Sequence, residues 1–144
     1  MDAVESASSL DAMRMPPELI EEIVAHAREV APEECCGVVT GRDGEALAVE
    51  RAENEFAHRM RYRISPEEMF RIYKLADERE EEMLAFYHSH PRSEAYPSQT
   101  DINEASGLPE SLHLICSLER PESPVVRAFS IRGDEVAEVG LDGA

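Results

Sequence analysis

The sequence predicts a single α/β domain in which helices pack against a β-sheet, and three observations lead there. A chain of 144 residues suits one sizeable core, with no room for two. Hydrophobic residues make up 42% and charged residues 31%, a globular balance. Segments with an apolar helical stripe alternate with short apolar runs of strand type, and no repeat, low-complexity stretch or inter-domain linker interrupts them.

Residues 1–15 are rich in small, acidic and Ser residues without steady periodicity, so they read as a flexible N-terminal arm, with the domain spanning 16–144. Pro17 suits a first helical turn, and Glu18, Glu21 and Glu22 favour its dipole. Leu19, Ile20, Ile23, Val24, Ala27 and Val30 make one stripe, and Pro32 marks the end. Residues 36–40 then read as a buried strand, Gly41 to Gly44 as a turn and 46–49 as the returning strand; a third strand is expected around Tyr62 to Ile64. Ser65-Pro66-Glu67-Glu68 is a capping box opening a second helix, which ends in the charged run Asp77 to Glu82, read as a solvated helix end. Residues 83–87 form a strand leading into His88. Ser98 or Thr100 can cap a short helix to about Ser106, stopped by Gly107 and Pro109, and strands at 112–118, 125–131 and 136–141 complete the set.

Fourteen Lys plus Arg stand against 31 Asp plus Glu, a formal charge of −17, which repels phosphate backbones and anionic lipid heads. Nucleic acid and membrane are thereby excluded as partners. Such acidity reads first as solubility or salt adaptation and second as steering of a basic partner. Three cysteines, Cys35, Cys36 and Cys116, do not make a disulfide framework and fit a reducing cytoplasm. No run approaches eighteen apolar residues, and the N-terminus is acidic where a signal peptide would be basic.

His88-Ser89-His90, seven residues, Ser98, two residues and Asp101 follow the strand at 83–87. Side chains two apart on a strand share a face, so both imidazoles reach one ion while Ser89 faces away. Asp101 supplies an oxygen near a helix start. Ligands of N, N and O type leave a fourth tetrahedral position open, the arrangement of catalytic zinc. Amide hydrolysis at such a site needs a general base, and Glu34 is the candidate, where the first helix ends and a core strand begins.

Glu34 followed distantly by His-x-His-x7-Ser-x2-Asp resembles the JAMM motif of the MPN-domain zinc metallopeptidases, over roughly Pro16 to Leu141. The Glu-x-Cys-Gly spacing ending at Gly37, and the run Glu94-Ala95-Tyr96-Pro97-Ser98, resemble the small prokaryotic branch. The resemblance implies a three-layer domain with a mixed, curved β-sheet flanked by helices, of the MPN and cytidine-deaminase-like kind. It implies His88, His90 and Asp101 as ligands of one Zn2+ per chain with a catalytic water, Glu34 as general acid and base, and Ser98 as an oxyanion donor. It further implies hydrolysis of the amide after the C-terminal Gly-Gly of a ubiquitin-like or sulfur-carrier protein. Two substrates stay open: a carrier bearing cysteine, and an isopeptide bond to a lysine. The tail would lie extended, along a sheet edge near 54–64 or the loop 91–97. Monomer and homodimer are both compatible with the sequence.

Plainer readings stand beside these. Ser98 is also a helix cap, Asp101 a dipole partner, and Glu33 an alternative to Glu34. The cysteines read as core, His26 and His113 as structural, and His58 as structural or groove-lining. A zinc deaminase would need His-x-Glu and Pro-Cys-x-x-Cys, and neither occurs. The remaining rival is a non-catalytic MPN scaffold that binds partner proteins.

Overall fold

A computed structural model describes residues 12–108 and 110–143. In chain order the elements are β1 (Ala12–Arg14), α1 (Pro17–Val30), β2 (Cys36–Arg42), β3 (Glu45–Ala52), α2 (Pro66–Glu78), β4 (Glu82–His90), α3 (Gln99–Ala105), β5 (Leu112–Ser117), β6 (Val125–Arg132) and β7 (Glu135–Asp142). The strands run in the order β1-β3-β2-β4-β5-β6-β7 and close on themselves through β7 and β1. The sheet is mixed as expected: β1 is parallel to β3 and β7, β4 is parallel to β5, and the other pairs are antiparallel.

Two expectations change. Residues 12–15 of the expected arm are packed, since β1 pairs with β3 and β7 and both Met13 and Met15 are buried; residues 1–11 of that arm lie outside the described residues. The segment Tyr62 to Ile64 joins no strand ladder. Its backbone is tied to residues 54 and 55: Arg63 N–H donates to Asn54 Oδ1, Asn54 Nδ2 donates to the neighbouring Arg61 carbonyl, and the Arg63 carbonyl accepts the Glu55 N–H at 2.8 Å.

Alternation along β4 sets the layers. Ala85 and Tyr87 join Leu19, Ile23 and Ala27 of α1 in one cluster, while Phe86 joins Cys36, Val38 and Ile72 of α2 in another. The even-numbered row of β4 continues to His88 and His90, so both imidazoles face the α2 side at the strand's C-terminal end. Ser89 faces away and accepts the Cys35 N–H at 2.8 Å.

Gly37 opposes Tyr87 across the β2–β4 pair, and a Cβ there would collide with the Tyr87 ring and the Glu50 carbonyl. That close approach seats Tyr87, whose hydroxyl meets His26 Nδ1 at 2.7 Å. The hairpin from β2 to β3 turns on Asp43 and Gly44, both at positive φ, as a tight primed turn requires. The charged run after α2 is not wholly solvated: Glu81 accepts the Thr40 hydroxyl at 2.8 Å, and Arg79 pairs with Glu50 at 2.6 Å.

Candidate metal centre

The strand carrying His88 and His90 ends at His90, and the loop 91–98 leads into α3 so that Asp101 meets both rings. His88 Nε2 and His90 Nε2 lie 3.2 Å apart, and each is 3.1 Å from Asp101 Oδ2. Each of the three is held differently. His90 Nδ1 contacts the Glu94 carbonyl at 2.8 Å, which as a donated hydrogen bond fixes the tautomer that leaves a lone pair on Nε2. Asp101 belongs to a capping box: its N–H donates to Ser98 Oγ at 3.1 Å, and its Oδ2 accepts the Ser98 N–H at 2.9 Å. His88 Nδ1 is buried and has no hydrogen-bond partner. The Tyr62 ring instead lies on the imidazole, centroids 4.5 Å apart and planes inclined by 20°.

The donor set fits a small divalent cation. A tetrahedral zinc with bonds of about 2.0–2.1 Å spaces its ligand atoms about 3.3–3.4 Å apart, close to the triangle observed here. A neutral His90 in this tautomer would face the Asp101 oxygen with a lone pair, a repulsive contact that a shared cation turns attractive. Burial opposes charge on the Asp101 carboxyl, but the hydrogen bonds with His88 and His90 outweigh it and hold the group well below the usual carboxylate range. Burial likewise works against a charged His90, and Asp101 with the Glu94 carbonyl overrides it, raising that imidazole. His88, His90 and Asp101 form the one compact metal-ligating cluster found among the described residues, and with two imidazoles and a carboxylate it suggests zinc.

Of the neighbouring glutamates, Glu33 is exposed and Glu34 is 3% exposed. Glu34 Oε1 has no hydrogen-bond partner, and burial pushes the carboxyl up to about 8, with charge on His90 lowering it and charge on Asp101 and Glu104 raising it. Its backbone is tied to the segment beyond β3: Glu34 N–H donates to the His58 carbonyl at 2.8 Å, and its carbonyl accepts from Asn54 Nδ2 at 3.1 Å. Asn54 Oδ1 also accepts from Phe56 and Arg63 N–H, so one amide side chain organises the segment 54–63.

That segment, α2 and α3 enclose a groove of about 660 Å³ that reaches Asp101 and is lined by Phe56, Tyr62, Ile64, Met69 and Leu108 among others. His58 is exposed and does not line it; its Nδ1 accepts the Met60 N–H. The cysteines are core residues, buried, with Cys116 pushed up to about 11 and Cys35 to about 12. His113 is buried, and its pKa is lowered to about 4 chiefly by desolvation. Three contributors were not singled out in the sequence: Asn54, Tyr62 and the carbonyl of Glu94. Only Glu94 carried a signal, as the first residue of the run ending at Ser98.

The sequence pattern of the family described as prokaryotic homologs of the JAB domain matches residues 16–132. The chain belongs to that family. Among curated JAB relatives it is 37% identical over 129 residues to the desampylase of Haloferax volcanii, covering 84% of this chain and 88% of that one. It is 31% identical over 123 residues to the CysO-cysteine peptidase of Mycobacterium tuberculosis, covering 84% of each. Among solved structures, protein DSY2949 from Desulfitobacterium hafniense superposes with a TM-score of 0.82 at 32% identity, covering 90% of each chain. A structure titled as a JAMM metalloprotease-like zinc site shares the JAB fold at a TM-score of 0.57 and 16% identity, covering 90% of this chain and 97% of that one. No helix among the described residues is long and apolar enough to cross a membrane.

Proposed function

We propose that this protein is a zinc-dependent peptidase that hydrolyses the amide bond after the C-terminal Gly-Gly of a ubiquitin-like or sulfur-carrier protein, releasing either cysteine or a lysine-linked target. One observation carries the reading: three ligand atoms lie within 3.2 Å of one another, and the buried Glu34 carboxyl, one oxygen of which has no partner, is near enough to feel charge on His90 and Asp101. The kinship with a desampylase and a CysO-cysteine peptidase gives the substrate class.

His88, His90 and Asp101 would hold one ion per chain. Zinc in such a site acidifies a water and polarises a carbonyl. Glu34 takes the proton from the attacking water and returns it to the leaving amine, a role that suits a carboxyl already raised toward neutrality. Ser98 accepts the Asp101 N–H through a lone pair, which leaves its own hydroxyl proton to donate to the oxyanion. The slender diglycine tail reaches the scissile carbonyl along the groove between segment 54–63 and α3.

The test is incubation of zinc-loaded protein with a ubiquitin-like protein whose Gly-Gly terminus carries either cysteine or a lysine-linked protein, read by mass spectrometry. Cleavage after the second glycine in at least one substrate, abolished by a chelator and restored by zinc, is expected. Intact substrates with zinc-loaded protein would overturn the reading and favour a binding scaffold.

A further inference from the structure

Metal-binding histidines ordinarily donate their second ring nitrogen to a carboxylate, carbonyl or water, which fixes the plane of the ring. His90 follows this pattern through the Glu94 carbonyl. His88 does not, since its Nδ1 is buried without a partner. What lies on His88 is an aromatic face: Tyr62, 4.5 Å away with its plane nearly parallel, and the His90 ring edge-on at 5.0 Å and 60°. We propose that Tyr62 is a positioning residue for His88, fixing the imidazole plane by face-to-face stacking where the other histidine uses a hydrogen bond. This inference rests on the zinc reading given above.

Three features support it. Stacked rings restrict rotation of the imidazole about the Cβ–Cγ bond, the freedom that an unpartnered Nδ1 would leave open. Tyr62 is itself immobilised, because the residues on either side of it are hydrogen-bonded to Asn54: the Arg61 carbonyl by Nδ2 at 3.0 Å and the Arg63 N–H by Oδ1 at 3.1 Å. The same Asn54 holds the Glu34 carbonyl, so Tyr62, Glu34 and His88 are placed by one short segment. That arrangement explains why 62–64 lies outside the sheet. A strand pairing there would use the backbone groups that Asn54 now takes.

The ring, not the hydroxyl, is the working part, so Tyr62→Phe and Tyr62→Leu separate the two. Zinc affinity is measured by competition with a chromophoric chelator, at a temperature where circular dichroism shows each metal-free variant folded. A global loss of stability then leaves the affinity unmoved. Tyr62→Leu is expected to bind zinc about tenfold more weakly and to shift the visible bands of the Co2+-substituted protein, while Tyr62→Phe stays within about twofold of the parent, keeping the stack. If Tyr62→Leu does not fold, Tyr62→Met fills the same space without a ring and takes its place. Parent-like affinity in a folded Leu or Met variant overturns the proposal. So does a tenfold loss in Tyr62→Phe, which alone decides the matter if neither aliphatic variant folds. A parent protein that binds no zinc would instead overturn the hydrolase reading together with this one.

Discussion

Replacing Glu34 by Gln should make the metal-free protein more stable and the zinc-loaded protein less active. The carboxyl is 3% exposed, one oxygen has no partner, and burial lifts its pKa from 4.5 to about 8. Between those values the folded protein retains a proton that the unfolded chain has released, so stability falls as pH rises through the window. At 1.36 kcal/mol per unit, the full window corresponds to about 5 kcal/mol. Relaxation and water entry reduce such penalties, leaving about 2–3 kcal/mol at pH 8. For a domain of this size that is about 6–12 °C in Tm. The assay is thermal and urea unfolding of chelator-treated parent and Glu34→Gln between pH 4.5 and 8.5. The variant should match the parent near pH 4.5, exceed it at pH 8 and lose most of the slope. Zinc should flatten the parent's slope too, because a nearby cation favours the ionised carboxyl. Turnover of the zinc-loaded variant should fall about 10²–10⁴-fold with zinc retained. Identical pH dependence in the two metal-free proteins would refute the assignment of a buried, uncompensated carboxyl.

Ser98→Ala should reduce kcat about 10²-fold with little change in KM, through the lost oxyanion donor, and remove about 1 kcal/mol of stability through the lost cap; steady-state kinetics and urea unfolding separate the two. Gly37→Ala should destabilise by about 2–3 kcal/mol in urea unfolding, since the added methyl meets the Tyr87 ring and the Glu50 carbonyl so closely that the ring or the backbone must shift. Asn54→Ala should cost about 2 kcal/mol for the hydrogen bonds it removes. By loosening segment 54–63 it should also raise KM and increase amide hydrogen exchange there.

The convergence of His88, His90 and Asp101 was legible because its signal is local: a strand places residues two apart on one face, and a capping serine three residues before an aspartate announces a helix start. The two α-helices that cover the sheet were legible for the same reason, through Pro at the first turn and an apolar stripe. In the sequence, Glu34 is preferred to Glu33 only on the resemblance carried by the Glu-x-Cys-Gly spacing, and the chain's path sets Glu34 inward and leaves Glu33 in solvent. β1 left no trace because three residues carry no periodicity, and its stability comes from pairing with β3 and β7, distant in sequence. Tyr62 to Ile64 has strand-like composition, and the Asn54 side chain, two residues past the end of β3, intercepts its backbone. Stacking of Tyr62 on His88 is likewise a tertiary event with no local pattern.

The account stands on one ion held by His88, His90 and Asp101. Zinc titration of chelator-treated protein, with His88→Ala and Asp101→Ala alongside, tests that directly. One zinc per parent chain is expected, with affinity lowered about 100-fold or more in each variant. Unchanged zinc uptake by either variant, or none by the parent, would contradict it.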